Sequence, residues 1–381
     1  MATSDKVGAV MVVGGGISGM QSALDLADSG YKVYLVEKQP SIGGTMAQLD
    51  KTFPTNDCAM CIMAPKLVAT GRHHNIDLIT NAEIAIVDGQ AGNFTVTVKQ
   101  HAFRVDTKKC TGCGSCAQKC PIETTNEYDE NTKMRKAIYV RYPQAVPLVY
   151  AIDADKCIGC GICAEECKAK AVEYDQKEKV LEVKVGSIIL SPGFDEFNPR
   201  LKTEYGYGVC KNVVSSIEFE RLLSATGPYM GTVLRPSDGD IPEKIAFIQC
   251  VGSRDEHCGN EYCSSVCCMY SMKQAVIAKE HGGNIKPSIF FMDMRAFGKE
   301  FDEYYNRAQN EYGIKFVRSR VAAVSEDPKT KNLTLKYVEK GEPKEEEFQM
   351  VVLAVGLRPP ADAENLSRIM KFRLNDDGFA Q

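Results

Sequence analysis

The chain has 381 residues, 44% of them hydrophobic, and a formal net charge of −4. That is enough for two or three ordinary domains, and the mild acidity gives no reason to expect a nucleic-acid partner. Sixteen cysteines in a chain whose opening, Met1 to Lys6, is short, polar and without an apolar signal region argue for metal and redox chemistry in a reducing cytoplasm, and no window approaches a membrane span of about 20 apolar residues.

Residues 9–13 form an apolar run of the kind that makes a buried parallel strand. Gly14-Gly15-Gly16-Ile17-Ser18-Gly19 follows, then Ile17, Met20, Ala23, Leu24 and Ala27 at helical spacing up to Gly30. A second strand over 32–36 ends at Glu37. This is a complete βαβ dinucleotide fingerprint. Gly14 allows the tight turn, Gly16 lets the backbone approach a pyrophosphate, and Gly19 lets helix and strand pack closely. Glu37 can accept from the adenosine ribose hydroxyls. The pair Gly43-Gly44 just beyond is similar to the loop that passes beneath FAD in two-dinucleotide flavoproteins. Ser18, Lys38, Ile84 and Gly193 complete the candidate FAD-binding set. Cys58 and Cys61 suit half a metal site, a redox dithiol or two buried thiols equally. His73 and His74 read as surface histidines beside a helix end.

Strands are expected at 76–80, 82–87 and 93–99, and the meander resumes with Val180 to Val185 and the run into Gly193. Between them, from about 105 to 179, lies an insertion with the least ambiguous chemistry in the chain. Cys110, Cys113, Cys116 and Cys120 stand at C-x2-C-x2-C-x3-C, and Cys157, Cys160, Cys163 and Cys167 repeat the spacing. In two-cluster ferredoxins the fourth cysteine of each run ligates the other cluster. One [4Fe–4S] cluster is therefore assigned to Cys110, Cys113, Cys116 and Cys167, and the other to Cys157, Cys160, Cys163 and Cys120. Gly112, Gly114, Gly159 and Gly161 are expected at positive φ in the tight loops. Zinc or disulfides are the alternative. Lys168 follows Cys167 where the first run has Pro121.

Residues 200–240 read as a linker with a short helix near 216–223, assigned with 180–240 to the first domain. Lys244 to Gln249 begins a second Rossmann-like unit over 241–360, with a helix from about Ser264–Cys267 to Lys279, a strand at 288–292, a helix over 299–312, and a closing strand over 351–355. Lys344 to Glu347 reads as a solvated hairpin edge. Residues 361–381 begin a return to the first domain. The turn after Gln249 should be glycine-rich if it holds a nicotinamide dinucleotide. It reads Cys250-Val251-Gly252-Ser253-Arg254-Asp255, with Cys258, Cys263, Cys267 and Cys268 close behind. Cys250, Cys263, Cys267 and Cys268 could enclose a third cluster, against buried thiols or a zinc site, with Cys258 spare.

The chain resembles the A subunit of heterodisulfide reductase. The resemblance rests on Gly14–Gly19, on Gln48-Leu-Asp-Lys-Thr-Phe-Pro54 running into Cys58 and Cys61, and on Tyr142-Pro-Gln-Ala-Val-Pro147. It also rests on Cys250-Val-Gly-Ser-Arg-Asp255 and Tyr262-Cys-Ser-Ser-Val-Cys-Cys-Met-Tyr270. It implies an α/β, thioredoxin reductase-like fold of two dinucleotide-binding domains with an inserted two-cluster ferredoxin domain. FAD and a third [4Fe–4S] cluster in place of the pyridine nucleotide come with it. The expected role is electron transfer, with electron bifurcation, inside a cytoplasmic complex of anaerobic metabolism. Expected partners are the other subunits of that complex, a hydrogenase or dehydrogenase donor, ferredoxin, and further copies of the chain. The family commonly has an extra N-terminal iron–sulfur region and continues beyond a point equivalent to Gln381. The sequence is then that of a short homologue or a fragment. An NAD(P)H-dependent flavoprotein of the glutamate synthase small-subunit type, and a flavin-free iron–sulfur relay, are the competing readings. Lys273, in the apolar helix after Cys268, is read either as a lysine that snorkels to solvent beside Gln274 or as a charge directed at the flavin ring and so catalytic.

Overall fold

The computed structural model describes residues 6–381; of the polar start read from Met1 to Lys6, residues 1–5 lie outside them. The chain divides into two compact units. The first comprises Met1–Ala47, Met60–Gly193 and Pro359–Gln381. Its parallel sheet runs in the order Ser187–Leu190, Ala9–Val13, Lys32–Glu37, Ile76–Thr80. These short, β-branched runs suit strands covered on both faces. The helix Ile17–Asp28 lays Gly19, Met20, Ala23, Leu24 and Ala27 on one face of the sheet. An antiparallel sheet of Lys179–Val185, Asn93–Gln100 and Ala82–Gln90 closes the other, enclosing Met11, Val36, Val96, Val98 and Val185. The helix Ala363–Met370 adds Ile369 and Met370 to that second core, so the return expected of 361–381 starts at Pro359.

The insertion leaves this meander at a hairpin. Gln100 and Lys179 are register partners on adjacent strands, and Val105 bridges Val172. A module whose ends lie side by side can enter there without disturbing the sheet. Its own core is small: Val105, Ile138, Ile152 and Ala171 packed with cysteines. Two short hairpins, Glu123–Thr125 with Met134–Lys136 and Ile138–Tyr139 with Ala151–Ile152, accompany its short helices.

The second unit comprises Gln48–Ala59 and Phe194–Arg358. Its five-stranded parallel sheet runs Val213–Ser215, Met350–Val355, Lys244–Val251, Lys286–Phe291, Lys315–Arg318. One face carries the helices Ser216–Leu223, Cys267–Gly282 and Phe301–Asn310. The other carries the antiparallel sheet Val321–Glu326, Leu333–Glu339 and Glu342–Phe348. The last of these strands is exposed along most of its length, as a solvated edge should be.

Two domain boundaries differ from the sequence reading. Residues 194–240 belong to the second unit, because Val213–Ser215 pairs in parallel with Val351–Leu353 and Phe219, Leu222 and Leu223 enter its core. A three-residue strand in a Pro- and Gly-rich stretch has too few side chains to show a period. Residues 48–59 also join the second unit, although both flanks lie in the first. No helix among the described residues is long and apolar enough to cross a membrane.

Candidate functional site

In the first unit the strand Ala9–Val13 ends at Gly14, which has φ +105°. A Cβ there would stand 2.0 Å from the Ser191 carbonyl oxygen, and one at Gly19 would stand 1.8 Å from that of Gly14. Both positions demand glycine for contact reasons. Gly16 differs: an added Cβ would meet only the Gly44 Cα, 4.0 Å away. Gly16 also begins the Ile17–Asp28 helix with no side-chain cap, so the first-turn amides are available to an anion. Glu37 is buried, and its two oxygens accept from Gly15 N at 2.6 Å and Gln39 N at 2.8 Å. Each oxygen keeps a lone pair for a ribose hydroxyl. The Gly43 amide donates to Gly15 O at 2.8 Å and holds the second glycine loop against the first. Beside it the Ser41 hydroxyl is buried with no hydrogen-bond partner. The open cradle at Gly16 and Gly44, the free helix N-terminus and this orphaned hydroxyl fit an FAD adenosine diphosphate.

Ser18 is exposed on the first helical turn, and Lys38 is exposed and pairs with Asp362 at 3.7 Å. Gly193 is in the left-handed region. Ile84 corrects the sequence reading. Its side chain is buried in the core with Ala82, Val96 and Val98, so it gives a cofactor no side-chain contact. The insertion braces the glycine loop: Tyr142 Oη donates to Ile42 O, Tyr128 Oη donates to Ala47 O at 2.5 Å, and Ile42 bridges Val146.

In the insertion, Gly112, Gly114, Gly159 and Gly161 all take positive φ. Gly114 and Gly161 start the one-turn helices Ser115–Lys119 and Ile162–Glu165, which carry Cys116 and Cys163 inward. One cavity is lined by Cys120, Cys157, Cys160 and Cys163, three cysteines of the second run with the fourth of the first. Burial pushes the Cys163 thiol up, and the neighbouring Cys157, Cys160 and Cys120 add to the effect. Burial likewise pushes Cys116 up to about 12, with Cys110, Cys163 and Cys113 contributing. Cys167 packs in the same core as Cys110 and Cys116. Thiols that repel one another's ionisation are what a cationic cluster reverses, because a coordinating thiol is deprotonated outright. No three His, Cys, Asp or Glu side chains among the described residues converge closely enough to hold one metal ion. The four cysteines instead surround a common space, as ligands of an iron–sulfur cluster would.

In the second unit Cys250 lies near the end of the strand Lys244–Val251, just before Gly252. It has φ +59° at the point where the register shifts between Ile248 and Val251. Cys250, Cys267 and Cys268 pack together with Ala354. Cys267 and Cys268 open the 16-residue helix Cys267–Gly282, whose N-terminus favours thiolate. A hydrogen bond from Cys267 lowers both Cys250 and Cys268, and the shared proton raises Cys267. Cys263 is not packed with these three; the Arg295 guanidinium faces its thiol, while the Arg295 backbone amide faces Cys268. Cys258 stands apart beside Lys202.

Comparison with known proteins identifies two of these parts. The FAD dependent oxidoreductase family matches residues 9–106, and the 4Fe-4S dicluster domain family matches residues 109–172. The chain is 54% identical over 377 residues to one of the iron-sulfur A subunits of the CoB--CoM heterodisulfide reductase of Methanopyrus kandleri, covering 98% of this chain and 58% of that protein. It is 55% identical over 371 residues to the A subunit of the H(2)/formate:CoB-CoM heterodisulfide,ferredoxin reductase of Methanococcus maripaludis, covering 97% and 56%. The chain belongs to the family of heterodisulfide reductase A subunits. It spans a little over half the length of these family members. The thioredoxin reductase of Lactococcus lactis shares the fold at a TM-score of 0.50 and 14% identity, over 98% of this chain and 84% of that one. The fold is thus that of a thioredoxin reductase-like flavoprotein, with an iron–sulfur module inserted.

One candidate of the family site is corrected. Lys273 neither snorkels nor stands free. It is 1% exposed, and its ammonium pairs with Glu220 on the Ser216–Leu223 helix. Glu220 also accepts from Gln274 Nε2 at 2.7 Å and from Asp50 N at 3.0 Å. The helix has no polar face here, since Ser271 to Ala278 are all buried. A buried ammonium must be neutralised where it lies, and Glu220 does so, which removes the unpaired charge that the catalytic reading required. Cys61 is exposed and Cys58 half-buried at the start of the helix Ala59–Arg72. His73 stacks on His74 and meets Asp28 at 3.2 Å. Tyr174 and Arg295 escaped the sequence reading, and Tyr142 entered it only within the Tyr142–Pro147 motif, without a role. A single tyrosine or arginine has no spacing signal, and each acts through a contact distant in sequence or set by a loop.

Proposed function

We propose that the chain is the FAD- and iron–sulfur-carrying electron-transfer part of a heterodisulfide reductase-type oxidoreductase. The observation that carries this reading is the group Cys250, Cys267 and Cys268, packed where a nicotinamide-binding domain has its glycine turn. A bound flavin would interconvert two-electron and one-electron chemistry, and clusters would carry single electrons. In this reading Gly14, Gly16, Gly19, Glu37, Gly43 and Gly44 hold FAD. Cys110, Cys113, Cys116 and Cys167 hold one [4Fe–4S] cluster, and Cys157, Cys160, Cys163 and Cys120 a second. Cys250, Cys263, Cys267 and Cys268 hold a third. By the names of its relatives, the complex would draw electrons from hydrogen or formate and pass them toward ferredoxin and a heterodisulfide on partner subunits. A hydrogenase or dehydrogenase donor, bifurcation, cytoplasmic location and association of copies of the chain belong to the same proposal.

Protein purified without oxygen should contain FAD and about twelve iron atoms per chain, four for each of three clusters. Cys263→Ser should remove about one cluster's iron and leave the insertion's signals intact. Iron content unchanged in that variant, or flavin bleached rapidly by NADH, would overturn the third site.

A further inference from the structure

The two halves of the insertion are not electrically equivalent. Tyr174 Oη lies 3.0 Å from Cys163 Sγ. It lines the same cavity as Cys120, Cys157, Cys160 and Cys163. Tyr174 is half-buried. Between a thiol and a phenol the direction of such a bond is open. A sulfur that ligates iron has lost its proton, so only the phenol can then donate. The other contacts at this set's sulfurs are with backbone, Gly159 N to Cys157 at 3.5 Å and Cys120 to Ile122 O at 3.8 Å; at the other set Ala171 N reaches Cys167 at 3.3 Å and the Ser115 hydroxyl lies 3.7 Å from Cys113. At the other ligand set the nearby tyrosine is Tyr150, with its hydroxyl 3.2 Å from where a Gly114 Cβ would stand.

We infer that Tyr174 is a positioning and tuning residue that raises the reduction potential of the cluster held by Cys120, Cys157, Cys160 and Cys163. Reduction adds one electron and one negative charge to the cluster, shared onto its sulfurs, with no proton transferred and no bond broken. A hydroxyl donating to a ligand sulfur stabilises the more negative, reduced form more than the oxidised one, and hydrogen bonds to the sulfurs are among the levers that set such potentials. The charges next to the fourth cysteines differ as well: Lys119 and Pro121 flank Cys120, whereas Glu166 and Lys168 flank Cys167. The inference rests on the ligand assignment proposed above.

The test is an anaerobic redox titration of the full chain followed by electron paramagnetic resonance. In Tyr174→Phe one midpoint should fall, with the reduction equilibrium shifted by about tenfold, or about 59 mV for a one-electron couple. The other midpoint, and iron and sulfide contents, should match the parent. Tyr150→Phe should leave the cluster served by Tyr174 where it was. A full complement of clusters with both midpoints unmoved in Tyr174→Phe overturns the inference while leaving the ligand assignment standing. Iron unchanged in Cys163→Ser would instead overturn the assignment. Should Tyr174→Phe fail to load the cluster, 3,5-difluorotyrosine incorporated at position 174 keeps the shape and donates more strongly. Its midpoint should rise above the parent's, and a midpoint equal to or below it refutes the donor role.

Discussion

Three glycines of the nucleotide turn are identical in sequence and unequal in consequence. Gly14 and Gly19 are pressed against backbone oxygens, so alanine at either must move the strand or the helix, and at Gly14 the positive φ adds about 1–3 kcal/mol of backbone strain. Gly16 faces open space toward Gly44. Gly16→Val should therefore fold normally, with an unchanged thermal midpoint, and come off a column without FAD. Full flavin content in that variant would remove Gly16 from the cofactor site. At Lys273 the prediction concerns stability. Lys273→Met leaves the Glu220 carboxylate buried with its countercharge gone, which should destabilise by about 3–5 kcal/mol. The double variant with Glu220→Gln should recover most of that loss in thermal unfolding. A loss in Lys273→Met that Glu220→Gln leaves untouched would show that packing, not charge, is what the lysine supplies. Asp50, next in the same network, has a carboxyl held above 3.8 by burial first and by Glu220 second. Its folded form keeps the proton to higher pH than the unfolded chain does. The stability it contributes is complete below the unfolded value and is lost as pH rises through the folded one. Asp50→Asn should then be more stable than the parent at pH values above the folded one, and the parent should gain on the variant as pH falls. Equal pH slopes for the two proteins would refute this.

At the scale of elements, the insertion is a hairpin loop grown into a domain. Gln100 and Lys179 already face each other, so replacing residues 101–178 with a short Asn-Gly turn should close the hairpin between the strands Asn93–Gln100 and Lys179–Val185. The shortened chain should fold and lose about eight iron atoms, the content of two [4Fe–4S] clusters. It should also bind FAD more weakly, because Tyr128 and Tyr142 no longer hold the carbonyls of Ala47 and Ile42. Undiminished FAD affinity, measured by flavin titration of the stripped protein, would mean that the glycine loop keeps its shape unaided. Most elements of both units could be read directly. The strand Ala9–Val13 and the helix Ser216–Leu223 match the expected ranges, because a period over five to twelve residues averages out local exceptions. Val213–Ser215 could not, since three residues have no measurable period and only the sheet edge offered by Met350–Val355 makes them a strand.

For the whole molecule, the repetition of one architecture with different turn chemistry is the main point. Both units bring a strand end and a helix N-terminus together. The first fills that junction with glycine and the second with cysteine. The order of residues was enough to reveal the ferredoxin runs, the nucleotide fingerprint, the succession of elements and the family, because short-range spacing dictates local geometry and ligand chemistry. It also named the cysteines of the second junction, though without showing which of them touch. Packing in three dimensions was needed to learn that Cys250 meets Cys267 and Cys268 and that Tyr174 bonds Cys163. The same holds for the neutralisation of Lys273 by Glu220 and for the membership of residues 48–59 and 194–240 in the second unit. These are contacts between residues far apart in the chain or on irregular loops. Their formation depends on how whole sheets and helices pack, and that information is spread over every buried side chain at once.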